Sequence, residues 1–100
     1  MNRILKLAVF ALALPLPMLA HGNMDHILGT VTKIAGTTIS VSTDSGVTEV
    51  LYNDKTTWEE GGKSSSASAL HVGDRVAIHA MKMEGKEIAH EVRLSHPSKP

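Results

Sequence analysis

The chain has 100 residues, ten basic against ten acidic, with no cysteine and a single Phe, Trp and Tyr. That length allows one domain, and the missing thiols exclude a disulfide framework and a lipoprotein anchor. Balanced charge and so few aromatic rings provide neither the basic footprint nor the stacking platform of a nucleic-acid binder.

Asn2, Arg3 and Lys6 form a positive start, residues 5–19 are almost continuously apolar, and the run ends at Leu19-Ala20. This pattern predicts a Sec-type signal peptide over residues 1–20, cut after Ala20. Pro15 and Pro17 interrupt the run, which falls short of the ~20 residues a membrane span needs, so no stable anchor remains after cleavage. The mature chain is then periplasmic or secreted. Losing Arg3 and Lys6 leaves eight basic residues against ten acidic ones.

Residues 21–25 are short and polar and are expected to be flexible. The domain proper spans 26–95. Its first strand is 26–34, with Ile27, Gly29 and Val31 on one face; Gly29 suits a sharp bend or a close backbone approach. A turn at Ala35-Gly36-Thr37 leads to a second strand at 38–43, where Ile39 and Val41 point inward and Thr38, Ser40 and Ser42 face water. Asp44-Ser45-Gly46 turns the chain into a third strand at 47–52, whose Val47, Val50 and Leu51 alternate only if a bulge intervenes.

Residues 53–70 form the one long connection. Glu59 to Ser66 is rich in polar and chain-breaking residues and reads as a mobile surface loop carrying Trp58 at its start. Ser66 caps a single helical turn over 66–70, Gly73 ends it, and Leu70 and Val72 plug the bottom of the fold. The hairpin that follows has the clearest pattern in the chain. Val76, Ile78 and Ala80 alternate with Ala77, His79 and Met81, then Glu84-Gly85-Lys86 turns, and Ile88, His90, Val92 and Leu94 alternate again. Residues 96–100 form a disordered tail.

Five short strands with a helical turn between the third and fourth predict an all-β, OB-like small barrel, with an SH3-like barrel as the competing strand order. The expected core is Ile27, Val31, Ile39, Val41, Val50, Leu51, Leu70, Val72, Val76, Ile78, Ile88, Val92 and Leu94.

The run Gly29-x-Val31-x-x-Ile34, then Thr38-Ile39-x-Val41, Ala69-Leu70-x-Val72-Gly73-Asp74-Arg75-Val76, Ile78-His79-Ala80 and Ala89-His90-Glu91-Val92 resembles the bacterial domain of unknown function 5666. The resemblance covers residues 26–94. It implies a small secreted β-barrel and brings no activity with it. The layout is also distantly similar to the periplasmic copper and silver chaperone of the Cus efflux system, an OB-type barrel that binds metal through a strand-borne Met-x-Met pair, a His and a Trp. Here Met81 and Met83 lie on a later strand and Trp58 stands apart from them, so a metal site has to be argued from this chain's own residues.

His79, Met81 and Met83 share the outward face of the fourth strand, ~6.5–7 Å apart, and thioether sulfur with imidazole favours Cu(I) or Ag(I). Set against this, methionines near a turn are more often simple rim hydrophobes. His21, as a new N-terminus, offers an α-amino and a ring nitrogen; with His26, and with Asp25 as an oxygen donor, it makes a set suited to Cu(II). The bland alternative is a cleavage remnant on a flexible tail. His90 has inward parity and reads as a hydrogen-bonded core histidine. His71 and His96 lack a spaced partner. No sequence motif joins a nucleophile to a base, so the chain is not expected to be an enzyme. The leading reading is a non-enzymatic binding or structural barrel of the envelope. It engages an unknown envelope protein or ligand, with Trp58 as the contact anchor. The alternative is periplasmic copper or silver binding through His21 and His26, or through His79, Met81 and Met83.

Overall fold

The computed structural model describes residues 24–97. They are almost entirely strand: β1 (Met24–Ala35), β2 (Thr38–Thr43), β3 (Gly46–Leu51), β4 (Thr57–Glu60), β5 (Lys63–Ser64), β6 (Arg75–Met83) and β7 (Lys86–Ser95), with one 3-10 turn, Ala67–Ala69, between β5 and β6. Among these residues no helix is long and apolar enough to cross a membrane.

The long strand β1 holds two partners in succession. Its first half, Met24 to Thr30, pairs with β6, and its second half, Thr30 to Ala35, pairs with β2. Gly29 stands at the change of partner, where β1 and β2 approach so closely that a Cβ would overlap the Ser42 carbonyl oxygen. The close approach read from the sequence is therefore a feature of the barrel wall. Just beyond it the register with β2 shifts between Val31 and Lys33, a bulge at Thr32, whose hydroxyl donates to the Ser40 carbonyl at 3.3 Å. Ser40, which strand alternation assigns to water, is buried beside this bulge.

The sheet runs β3-β2-β1-β6-β7-β4-β5, and a parallel pairing of β3 with β7 closes it. β3, β2, β1, β6 and β7 thus form a five-membered ring, the OB-type arrangement, in place of the SH3-like alternative. The strand count is nevertheless seven, against the five expected. The additional pair, β4 and β5, comes from the segment that composition marks as loop. β4 adds in parallel to β7 at Thr57↔Glu91 through Glu60↔Leu94, while β3 pairs with β7 at Val50↔Glu87 and Leu51↔Ile88. Because β6 occupies the other edge of β7, β3 and β4 lie end to end along the same edge.

Between them the chain steps out and back. Thr56 is buried there: its hydroxyl donates to the Ala89 carbonyl at 2.8 Å and accepts the Asn53 N–H at 3.0 Å. Ala89 lies at a second irregularity, since the β6–β7 register shifts between His79 and Ala80, pairing His79 with Glu91 and Ala80 with Ala89. His90 is the extra residue of this bulge and is exposed, so it is not the core histidine that its parity predicts. The hairpin is closed by a two-residue turn in which Glu84 (φ 52°) and Gly85 (φ 80°) both adopt positive φ, the conformation that matches the twist of the flanking strands.

The core comprises Ile27, Val31, Ile39, Val41, Val50, Leu70, Val76, Ile78, Ala80, Ala89, Val92 and Leu94. Leu51 and Ile88 do not belong to it: β3 pairs with β2 without the expected bulge, so Leu51, next to the buried Val50, turns outward, and its partner Ile88 lies opposite Met81 on the outer face, both half-buried. Val72 is exposed, so of the two expected plugs Leu70 alone closes the barrel end. The 3-10 turn follows Ser66 as expected, though the Ser66 hydroxyl bonds Ser68 and caps no backbone N–H. Met24 and Asp25 belong to β1 and not to a flexible leader. At the other terminus His96 is tied to Asp74, with Nδ1 2.7 Å from the carboxylate, so the ordered chain runs past the expected start of the tail. The proposed signal segment and His21 lie outside the described residues.

Candidate functional site

The antiparallel pairing of β1 with β6 sets Met24 opposite Met81 and His26 opposite His79 on the outer face of the barrel. The two imidazoles meet edge-to-face, ring centroids 4.4 Å apart. This outward placement of His79 and Met81 follows from Ile78 and Ala80 filling the core on the alternate positions. On its other side His79 places Nδ1 3.2 Å from Glu91, whose second oxygen lies 3.2 Å from Arg93 Nε; Arg93 also reaches Glu59 at 3.2 Å. The Arg93 hydrogen bond first, and the His79 bond second, hold the Glu91 carboxyl below the usual glutamate range. His79 is therefore already engaged by a carboxylate and by a second ring.

Toward the β6–β7 turn the face changes character. Met81, Met83, Ile88, Ala89, His90, Asn53 and Lys55 enclose a hollow of about 100 Å³. Met81 and Met83 are 39% and 55% exposed, so both residues remain partly open to solvent at its rim. Two flexible, polarisable sulfurs and one imidazole around a small concavity form a donor set for a soft monovalent ion, Cu(I) or Ag(I). Of the residues singled out by sequence, His79, Met81 and Met83 do lie on this face, and His26 joins them through the β1–β6 pairing. Met24 and His90 are additions: Met24 shares the parity of His26, but only the strand register shows that it faces Met81. His90 reaches the hollow only because of the bulge.

Below the same end of the barrel Asp25, opposite Ala80, has the inward parity of Ile27, and it stands beside Glu87. Burial first, and the neighbouring Asp25 carboxyl second, push the Glu87 carboxyl up from its ordinary value, while Lys82, 3.8 Å away, pulls the other way. One Glu87 oxygen, Oε1, is buried with no hydrogen-bond partner.

Trp58 is not on a mobile loop. It sits on β4, half-buried against the core, edge-on to Tyr52 with ring centroids 5.0 Å apart. Tyr52 in turn donates through Oη to the Gly36 carbonyl at 3.2 Å. An aromatic anchored in this way is a packing element, and the argument for a loop-borne contact anchor loses its premise.

The family described as domain of unknown function DUF5666 matches residues 29–93. Among solved structures, a tryptophan-to-alanine variant of CusF from Escherichia coli with Cu(II) superposes with TM-score 0.58 at 14% identity, covering 74% of this chain and 94% of that one. CusF with Ag(I) gives 0.56 at 15% identity, covering 72% and 97%. The apo form of the Escherichia coli protein gives 0.54 at 16%, covering 73% and 88%. At such identities the likeness is one of fold. No curated protein matches the sequence.

Proposed function

We infer that this chain, which belongs to the DUF5666 family, is a non-enzymatic small barrel of the bacterial envelope that binds a soft monovalent metal ion, Cu(I) or Ag(I). The observation that carries the reading is the hollow lined by Met81, Met83 and His90 on the outer face of the β6–β7 hairpin. Sharing a fold with a protein solved with Cu(II) and with Ag(I) supports it, as does the signal-like start of the sequence. Met81 is the central ligand, since it also stands opposite Met24. His90 supplies the nitrogen in preference to His79, whose ring is held by Glu91 and abuts His26. Sulfur selects the reduced ion; the nitrogen set of His21 with His26 is the corresponding Cu(II) reading, and an added residue before His21 tests it separately.

The test is titration of the purified chain with Ag(I), and with Cu(I) under reductant. One ion per chain is expected with Kd below ~10 µM, lost in the double variant Met81→Leu with Met83→Leu, since Leu keeps the volume and removes the sulfur. His90→Ala should weaken binding more than His79→Ala. Binding that survives the double methionine variant would end the reading.

A further inference from the structure

A second group of donors gathers at the other end of β6. Asp74 lies just before the strand and Met81 near its far end, a separation on the order of 20 Å at ~3.3 Å per residue. His71, Asp74 and His96 each bring one ligand atom to a place where all three lie within 4.8 Å of one another. They come from two segments: His71 and Asp74 from the loop between the 3-10 turn and β6, and His96 from the residue after β7. We propose that His71, Asp74 and His96 form a binding site for a borderline divalent transition ion, of which Zn(II) is the probe, distinct from the methionine-lined hollow.

Asp74 is the fixed member. Its side chain is 3% exposed, and Oδ2 accepts the backbone N–H of His71 at 2.9 Å, closing a tight turn that the Asp74 N–H completes by donating to the His71 carbonyl at 3.0 Å. The turn uses only one carboxylate oxygen. The other, Oδ1, faces His96 Nδ1 at 2.7 Å, and His96 Nε2 lies 3.1 Å from Glu60 Oε2. Among the described residues the ion-pair partner of Asp74 is the His96 imidazole, with no lysine or arginine beside it. A metal ion that takes the proton's place between Nδ1 and Oδ1 keeps both outer contacts: Nε2–H still donates to Glu60, and Oδ2 still accepts from His71. Those are the partners that orient a metal-bound imidazole and carboxylate. The third donor is the His71 ring, whose centroid is 6.0 Å from that of His96.

Donors around a four-coordinate Zn(II) at ~2.0–2.2 Å stand about 3.3 Å apart, so His96 Nδ1, 2.7 Å from Oδ1, has to draw back by roughly half an ångström, while the His71 ring nitrogen closes to that spacing from within 4.8 Å. Both rings are exposed, while the carboxylate is buried and held by the His71 backbone N–H. Two nitrogens and one oxygen suit Zn(II) or Cu(II) and hold no sulfur to retain Cu(I), so the site differs in selectivity from the hollow. A fourth position remains open to solvent or to an external ligand.

The experiment is calorimetric titration of the metal-free chain with Zn(II) near neutral pH, with ring-nitrogen NMR of its six histidines. One Zn(II) per chain is expected with Kd below ~10 µM, at least tenfold weaker in His71→Ala and in His96→Gln and unchanged in Met81→Leu. His96→Gln keeps an amide donor toward Asp74, and circular dichroism of each variant verifies its fold. In the unmutated chain Zn(II) should move the ring signals of His71 and His96, a readout that needs no variant. Affinity unchanged in either histidine variant, absence of binding at this level, or shifts confined to other histidines would each overturn the site. None of these results bears on Ag(I) binding by Met81 and Met83, so the two proposals fail separately.

Discussion

Gly29 on β1 lies against the Ser42 backbone on β2, and a Cβ at Gly29 would also stand 2.9 Å from Val41 Cγ1. The obstacle is main chain and a buried core side chain, neither of which can swing aside. Gly29→Ala therefore forces the two strands apart at the point where β1 changes partner. Overpacking of this kind costs ~1–3 kcal/mol or more, which lowers the melting temperature by ~4–8 °C for each kcal/mol in a domain of this size. A variant melting within about a degree of the parent would show that β1 and β2 do not approach so closely.

Ile78 is 1% exposed and sits on the strand that joins β1 to β7, so its side chain packs under both pairings. Ile78→Ala should cost ~2–5 kcal/mol, a large part of the ~5–15 kcal/mol that holds a typical domain. Urea unfolding of both proteins, compared at equal m-value, measures the difference. A loss under ~1 kcal/mol would mean that the barrel interior relaxes around the cavity, unlike a close-packed core.

Thr56 supports β4 through one hydroxyl that donates to Ala89 and accepts from Asn53. Thr56→Val keeps the shape but removes the bond to the Ala89 carbonyl and the acceptor of the Asn53 N–H, a loss of ~1–3 kcal/mol. Trp58, two residues on, reports the docking of β4: its fluorescence should shift toward that of an exposed indole in Thr56→Val and stay near the parent in Thr56→Ser. Equal spectra for all three would remove Thr56 as the support of that strand.

The strands that alternate cleanly were legible because burial of one face imposes a period of two, as Val76, Ile78 and Ala80 show. The places that sequence reading misses share a different cause. Residues 57–64 carry mostly polar side chains and become strand through backbone pairing with β7, whose matching residues lie more than thirty positions later; nothing local announces that edge. His90 keeps step with Ile88 and Val92 on paper, yet the bulge passes the inward position to Ala89. The signal for it was present: Ala89 is apolar and His90 polar, against the period. The metal candidates divide in the same way. His79, Met81 and Met83 are visible as a face of one strand, whereas Met24 needs the β1–β6 register and the meeting of His71 with His96 needs the closed barrel. Val72 looks like core beside Leu70, but the tight turn held by Asp74 aims it at solvent.

Glu87 gives the chain a defined pH dependence. Burial and the adjacent Asp25 hold its folded carboxyl above its ordinary value of 4.5, against the opposing pull of Lys82. Between the ordinary value and the raised one, the folded chain keeps a proton that the unfolded chain has released. The stability that this group contributes is therefore full below the unfolded pKa and is lost as pH rises through the folded one. Glu87→Gln cannot ionise and escapes that loss, and its amide can donate toward Asp25. At neutral pH the variant should be more stable by roughly 1 kcal/mol, the scale of relieving one poorly satisfied buried polar group. Below the ordinary value the two proteins should converge, since a protonated glutamate and a glutamine differ little there. Thermal melts of both from about pH 4 to about pH 7 measure the effect as a gap that opens with rising pH. Parallel curves, or a parent protein that is the more stable at neutral pH, would show that the Lys82 ion pair outweighs the burial of Glu87 and its repulsion from Asp25.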